Sequence, residues 1–310
     1  MKFRMQLGPR SGVSPYTLGM PLAVALCVAM LAPEFLQAQN WRNLTGQMAG
    51  LFIVALGQML VALAAGIDLS VASVISLTSA IVAVTPHAGL GIALALGCGV
   101  VVGLVNGLGI AVAGVHPLVM TLATMTFLQG LTYTVLQIPG GTVPPALVDA
   151  ATGSILGLPV ALLWCALLAV LVSVVLRHTR WGLHLFATGA QGHSAALNGV
   201  PATRTVVLAY VACSLLAVVA GLFLTARIGS GDPTLGAFYG LESVTAIALG
   251  GVLLTGGAGS VLGVFTGTAT LGLISNGINL FGVSPFLRSA IVGALLIVAV
   301  AAQRRKGMGL

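Results

Sequence analysis

The chain has 310 residues, of which 58% are apolar and only 5% charged, with a formal net charge of +7. A soluble domain carries about 25% charged residues, so water cannot solvate this surface and membrane lipid must. The basic excess forms no stripe with interleaved aromatics and lies between apolar stretches, which excludes a nucleic-acid partner and marks the positives as topology signals.

A bilayer-crossing helix needs about 20 mostly apolar residues. Breaking the chain at charges, prolines and glycine-rich corners predicts spans over residues 16–36, 43–65, 70–86, 90–113, 116–138, 159–176, 204–225, 242–256, 259–281 and 286–302. The expected fold is an all-α integral membrane protein of about ten transmembrane helices in one domain, 1–310. The first span is expected to be retained, because its apolar run is long and Pro33-Glu34-Phe35 offers no small-x-small cleavage site. Lys2, Arg4 and Arg10 put the N-terminus in the cytoplasm, and ten crossings return Arg304, Arg305 and Lys306 to the same side. The connection 177–204, with Arg177, Arg180 and Arg204, is then cytoplasmic, and 139–158, without Lys or Arg, falls outside. Cys27, Cys98, Cys165 and Cys213 each sit inside an apolar span without CxxC spacing, so they read as packing residues.

The chain also repeats. A shift of 170 residues superposes Ser73-Val74 on Ser243-Val244, Gly97 on Gly267 and Asn106-Gly107 on Asn276-Gly277. The matched spans run in opposite directions, so the expected halves, roughly 16–138 and 159–302, form an inverted repeat with a pathway between them. Gly99, Gly103 and Gly107, and Gly259, Gly263 and Gly267, form small-xxx-small stripes expected to pack within one subunit.

Most chemistry is excluded. There is no GxxxxGK[ST] phosphate cradle, the only lysines are Lys2 and Lys306, and the histidines lack HExxH spacing. No catalytic role, cofactor or metal is expected. In Gly66-Ile67-Asp68-Leu69-Ser70, an acid beside apolar spans either caps a helix or lines a cavity. Asp68 and Ser70 therefore read as a cap or gate at the third span, with direct solute contact the alternative.

That segment, continued to Val74, resembles the GIDLSVGS signature of the ribose/xylose/arabinose-type permeases of ATP-binding-cassette importers, with Ala72 where that family usually has Gly. In the same order, His116-Pro117-Leu118-Val119-Met120-Thr121-Leu122 is similar to its PPFIVTL string. Ala248-Leu249-Gly250-Gly251 through Thr255-Gly256-Gly257-Ala258-Gly259-Ser260-Val261 is similar to LGGTSLxGGxGSV, and Asn276-Gly277-Ile278-Asn279-Leu280-Phe281-Gly282-Val283-Ser284-Pro285-Phe286 to NGLNLLGVSPF. The resemblance covers almost the whole chain. It implies a translocation subunit without its own ATPase site, paired with a second permease subunit (homodimer or heterodimer), cytoplasmic ATP-binding subunits and a periplasmic solute-binding protein. It also makes 177–204 a coupling segment, in which Ala187, Gly189, Leu197, Gly199 and Val200 would meet the ATPase. There the family's acidic pair and arginine are replaced by Gly192, His193 and Ala196, leaving apolar and hydroxyl contacts.

An uncharged polyol repays hydroxyl desolvation with amide and hydroxyl partners. The pathway candidates are Gln58, Asn106, Gln129, Tyr133, Asn276 and Asn279, each of which could instead bond between helices. Glu242 reads as a helix-start cap or a contact near the outer mouth. The expected function is import of a monosaccharide or similar polyol. Within the importer class the solute could instead be a signalling furanosyl compound or a branched amino acid. An ion- or proton-coupled secondary transporter is the alternative, disfavoured because Asp68 and Glu242 sit at span ends, and a passive channel or non-transport subunit is the third reading.

Overall fold

The computed structural model describes residues 15–155 and 157–302. The chain runs α1 (Pro15–Leu31), a 3₁₀ turn (Pro33–Leu36), α2 (Ala38–Leu63), α3 (Val71–Val84), α4 (Ala88–Ala111), α5 (Pro117–Val135) and α6 (Pro145–Thr152). It continues through α7 (Val160–His178), α8 (Arg180–Leu197), α9 (Ala202–Ile228), α10 (Tyr239–Leu249), α11 (Val261–Leu280) and α12 (Pro285–Ala302). Each of the ten expected spans falls on one of these helices, while α6 and α8 occupy connections. The terminal charges used for orientation, Lys2 to Arg10 and Arg304 to Lys306, lie outside the described residues.

Among the described residues six helices, α2, α4, α5, α7, α9 and α11, are long and apolar enough to cross a membrane. The chain is thus a multi-pass helical membrane protein. α3 has 14 residues and α10 has 11. At 1.5 Å per residue neither reaches across a hydrocarbon core about 30 Å thick. Both lie inside the bundle, with twelve residues of α3 and nine of α10 buried. Non-helical backbone at membrane depth is tolerated where protein covers it, so buried helices can stop short of the full thickness. The expected span 242–256 therefore ends at Leu249, and the chain turns through Gly251, Gly256 and Gly257, whose φ values of 79°, 92° and 77° lie in the left-handed region.

The centre is the pair α2 and α9. α2 packs on α10 and α11, and α9 packs on α3 and α4. Both glycine stripes work inside this chain. A Cβ at Gly103 would stand 2.8 Å from the Val211 backbone nitrogen, and one at Gly107 2.7 Å from the Val207 Cα, so α4 and α9 meet backbone to backbone. Gly263 and Gly267 press in the same way on the backbone of Gly250 and Ala246.

Contacts sort the connections onto two ends. At one end Gly257 N donates to Leu63 O (3.0 Å) and Thr121 Oγ1 to Ile67 O (3.4 Å), which gathers the segments 64–70, 112–116, 179–201 and 250–260. At the other end Gly140 and Gly231 exchange two 2.9 Å bonds, and Thr142 N donates to Ala83 O (3.1 Å). The first end carries Arg177, Arg180 and Arg204. The second carries Arg42, Arg227 and Arg288 together with Glu34, Asp149, Asp232 and Glu242.

Candidate functional site

Apolar helices leave few polar groups, and the fold gathers those few into two layers and one groove. The first layer surrounds the break before α3. Asp68 is fully buried. Its Oδ1 accepts from Ser70 N (2.9 Å) and Ser70 Oγ (2.5 Å), an Asx turn at the helix entrance. Asp68 thus holds Ser70, the residue at the start of α3, and does not reach the helix's own first amides. Ser70 Oγ accepts from Asn106 Nδ2 (2.9 Å), and Asn106 Oδ1 accepts from Thr124 Oγ1 (2.6 Å). Gln58, in the amide orientation its neighbours require, donates to Asp68 O (3.0 Å) and accepts from Asp68 N (3.1 Å). Asp68 Oδ2 has no partner. Residues on α2, α3, α4 and α5 thus meet at one seven-residue break.

Along α3 the serines at positions 70, 73, 76 and 79 repeat every three residues and share one side of the helix. Ser73 Oγ donates to Met125 O (2.8 Å), while Ser76 and Ser79 accept from the backbone N–H of Gly236 and Asp232 (3.0 Å each). Gln129 Nε2 donates to Pro233 O (2.9 Å). These bonds strap the turn-rich segment 230–238 to α3 and α5, satisfying amides that its own turns leave free.

The second layer lies toward the opposite end. Glu242, in the first turn of α10, pairs with Arg288 of α12 at 2.7 Å, and Arg288 Nε donates to Ser275 Oγ of α11 at 3.1 Å. Asn276 and Asn40 exchange amide bonds of 2.8 and 3.2 Å, joining α11 to α2. Removing one member of a sheltered ion pair strands the other charge. Arg288→Met should therefore lower stability by about 1–3 kcal/mol, and Glu242→Gln added to it should recover part of that loss. Thermal unfolding of the single and double variants in detergent measures the coupling; additive losses would show that the pair does not hold α10 to α12.

Among the six pathway candidates, Gln58 and Asn106 come together in the first layer, Gln129 lies on the strap, and Asn276 sits in the second layer. Tyr133 (43% exposed) and Asn279 are exposed on the outer surface. The residues that complete these networks, Asn40, Thr124, Ser275 and Arg288, were not singled out from sequence. Their partners lie up to 236 positions away, and only the serine repeat of α3 was a legible signal.

The groove belongs to α8. The helix is broken at Gln191 (φ −157°, ψ 85°). Its first half is anchored by buried Gly182 and Leu185, and its second half carries Leu197 at 77% exposure. Ala187, Ala190, Gln191, Ser194, Asn198 and Val200 line an open cavity of about 470 Å³ at the break. Gly189 is packed on the bundle, and Gly199 (φ 79°) turns the chain toward α9.

Residues 40–300 match the sequence pattern of a family described as Branched-chain amino acid transport system / permease component. The chain is 34% identical to Probable ABC transporter permease protein y4mJ of Sinorhizobium fredii over 304 residues, 94% of this chain and 91% of that protein. It is 36% identical to the ribose import permease protein RbsC of Bacillus subtilis over 290 residues, 91% and 90% of the two chains. It is 30% identical to the autoinducer 2 import system permease protein LsrD of Photorhabdus laumondii over 307 residues, 96% and 92%. No solved structure matches the chain.

Proposed function

The chain belongs to the Branched-chain amino acid transport system / permease component family, and from that premise we propose that it is the membrane-spanning subunit through which an ATP-driven importer passes a monosaccharide or similar polyol. As a permease component it is a translocation subunit and not an enzyme. The near full-length likeness to a ribose import permease carries the solute class. The chemistry of the site supports it. A zwitterionic amino acid would need free charges of both signs, whereas the Glu242 and Arg288 charges are paired with each other and the remaining polar groups of the two layers, Asp68 apart, are amides and hydroxyls. The likeness to the autoinducer 2 permease favours a second reading within the same class, a signalling furanosyl compound.

In this reading the chain crosses the inner membrane ten times in two inverted halves, with α3 and α10 as broken, buried crossings. The exchange of packing, α2 on α10 and α11 against α9 on α3 and α4, supports the repeat. The end carrying Arg177, Arg180 and Arg204 faces the cytoplasm, so the α8 groove meets an ATP-binding subunit and the opposite end meets a periplasmic solute-binding protein. α5 is the polar exception among the six long helices. Its mean hydropathy of 1.3 is the lowest, yet only 17% of its apolar stretch is buried, whereas that of α11, at 1.4, is 78% buried. Its buried threonines, Thr121 and Thr132, face the bundle, and the exposed side, with Val119, Phe127 and Tyr133, is where a second permease subunit belongs.

Deleting the gene should abolish high-affinity uptake of labelled ribose or a related pentose, and the plasmid-borne chain should restore it. Loss of leucine uptake with pentose uptake intact would overturn the solute class. A topology reporter fused after Gly189 should read cytoplasmic; a periplasmic reading would overturn the orientation.

A further inference from the structure

The turn after α10 and the end of α2 touch α8 through bare backbone. Gly189, two residues before the break in α8, lies against the carbonyl of Leu63, and a Cβ on it would stand 2.7 Å from Gly257 N. Gly257 N itself donates to Leu63 O (3.0 Å). A Cβ on Gly256 would meet Gly189 O at 2.7 Å and the Ala65 Cβ at 2.8 Å, and one on Gly257 would meet the Ala190 Cα at 2.7 Å. Gly189 and Gly257 thus close on the last carbonyl of α2, with Gly256 packed against Gly189 O and Ala65.

The surroundings hold tension and lack fastening. Ala65, in the break that leads to Asp68, has φ 62°, a left-handed conformation that costs an L-residue energy. Thr188 Oγ1 is buried beside Gly189 without a hydrogen-bond partner. The exposed half of α8 begins at Gln191, so a push on that half arrives first at residues 189 and 190. Backbone contacts at this spacing cannot be compressed; a displaced Gly189 must carry Leu63 and Gly257 with it or separate from them.

Resting on the importer reading, we propose that the Gly189–Leu63–Gly257 contact is the transmission point at which α8, moved by its ATP-binding partner, shifts the two non-helical segments 64–70 and 250–260 together. Gly189 is then a positioning residue. It touches no solute, and its role is to pass a displacement from α8 to the Asx turn at Asp68 on one side and to the end of α10 on the other.

Gly189→Ala in the full importer should leave the ATPase subunit bound and hydrolysing ATP while solute uptake falls by at least about tenfold, as expected when a small displacement is misdirected. Gly97→Ala on α4, where a Cβ meets nothing within 4 Å, should transport at the parental rate. Parental uptake by Gly189→Ala would overturn the proposal, and failure of the parental chain to retain any ATPase would overturn the importer reading beneath it. Hydrogen exchange of the parental complex decides the matter without a variant. Peptides covering 250–260 and 64–70 should change their exchange together when a non-hydrolysable ATP analogue is added; if neither changes while α8 does, the contact transmits nothing.

Discussion

Leu197→Asp should abolish ATP-driven uptake and release the ATPase subunit during purification, while the variant inserts and folds as the parent does. Leu197 is 77% exposed at the end of α8, next to the cavity lined by Gln191, Ser194 and Asn198. In the free chain an aspartate there is hydrated and costs nothing measurable. In a packed interface built from Ala187, Val200 and Leu197 it becomes an ion without a counter-charge, and an uncompensated buried charge costs about 3–5 kcal/mol. That loss corresponds to more than a hundredfold in affinity at about 1.4 kcal/mol per tenfold. The replacement of the family's acidic pair and arginine by Gly192, His193 and Ala196 sharpens the expectation, because the arginine of that pattern is not there to absorb the new charge. Thr142→Asp is the control, placed on an exposed residue at the opposite end of the bundle. Uptake assays and affinity pull-down on both variants give the answer. A stably expressed Leu197→Asp chain that transports at the parental rate would remove α8 from the coupling route.

A second large effect is expected at Asp68, with the size set by which function of the carboxylate is removed. Asp68→Ala deletes the acceptor of two short bonds and leaves the Ser70 amide and hydroxyl, both fully sheltered, without their partner. Hydrogen bonds to an ionised group contribute about 1.5–3 kcal/mol, and orphaned buried donors add to the cost. A loss of about 2–4 kcal/mol is a large share of a total stability of about 5–15 kcal/mol. Asp68→Asn keeps an oxygen at the Oδ1 position for both bonds but sets an NH2 group where Oδ2 has no partner, so it should melt below the parent and above Asp68→Ala. Thermal unfolding in detergent separates the two. If alanine and asparagine behave alike, the Asx turn is not what holds the entrance of α3, and Gln58 and Asn106 carry it instead.

The long resemblance strings worked as family markers because the physics they encode is local. Gly66 must be glycine where a Cβ would stand 2.5 Å from the Tyr210 hydroxyl, and the Gly250-Gly251 and Gly256-Gly257 pairs mark the left-handed corners that end α10. The same glycines concealed something. In a hydropathy pattern the run 242–256 reads as one continuous crossing, because glycine is tolerated in membrane helices and nothing in the pattern says that the helix stops at Leu249. The reading of Asp68 as a helix cap was close in place and different in detail. The spacing to Ser70 is legible, but whether the carboxylate serves Ser70 alone or the helix's first amides depends on the backbone of the residues between.

By itself the sequence determined that lipid is the solvent, where the apolar helices lie and which family the chain resembles, since each of these rests on composition or on neighbours within one turn of helix. The tertiary structure alone decided that α3 and α10 stop short inside the bundle, that Asn40 pairs with Asn276 and Glu242 with Arg288, and that Gly189 closes on Leu63 and Gly257. In an apolar chain with few polar groups, every candidate amide or hydroxyl has several possible partners of equal chemistry. Which pair forms is set by the crossing of helices whose close approach depends on glycines at positions 99, 103, 107, 263 and 267, and that approach becomes defined only when both helices are in place.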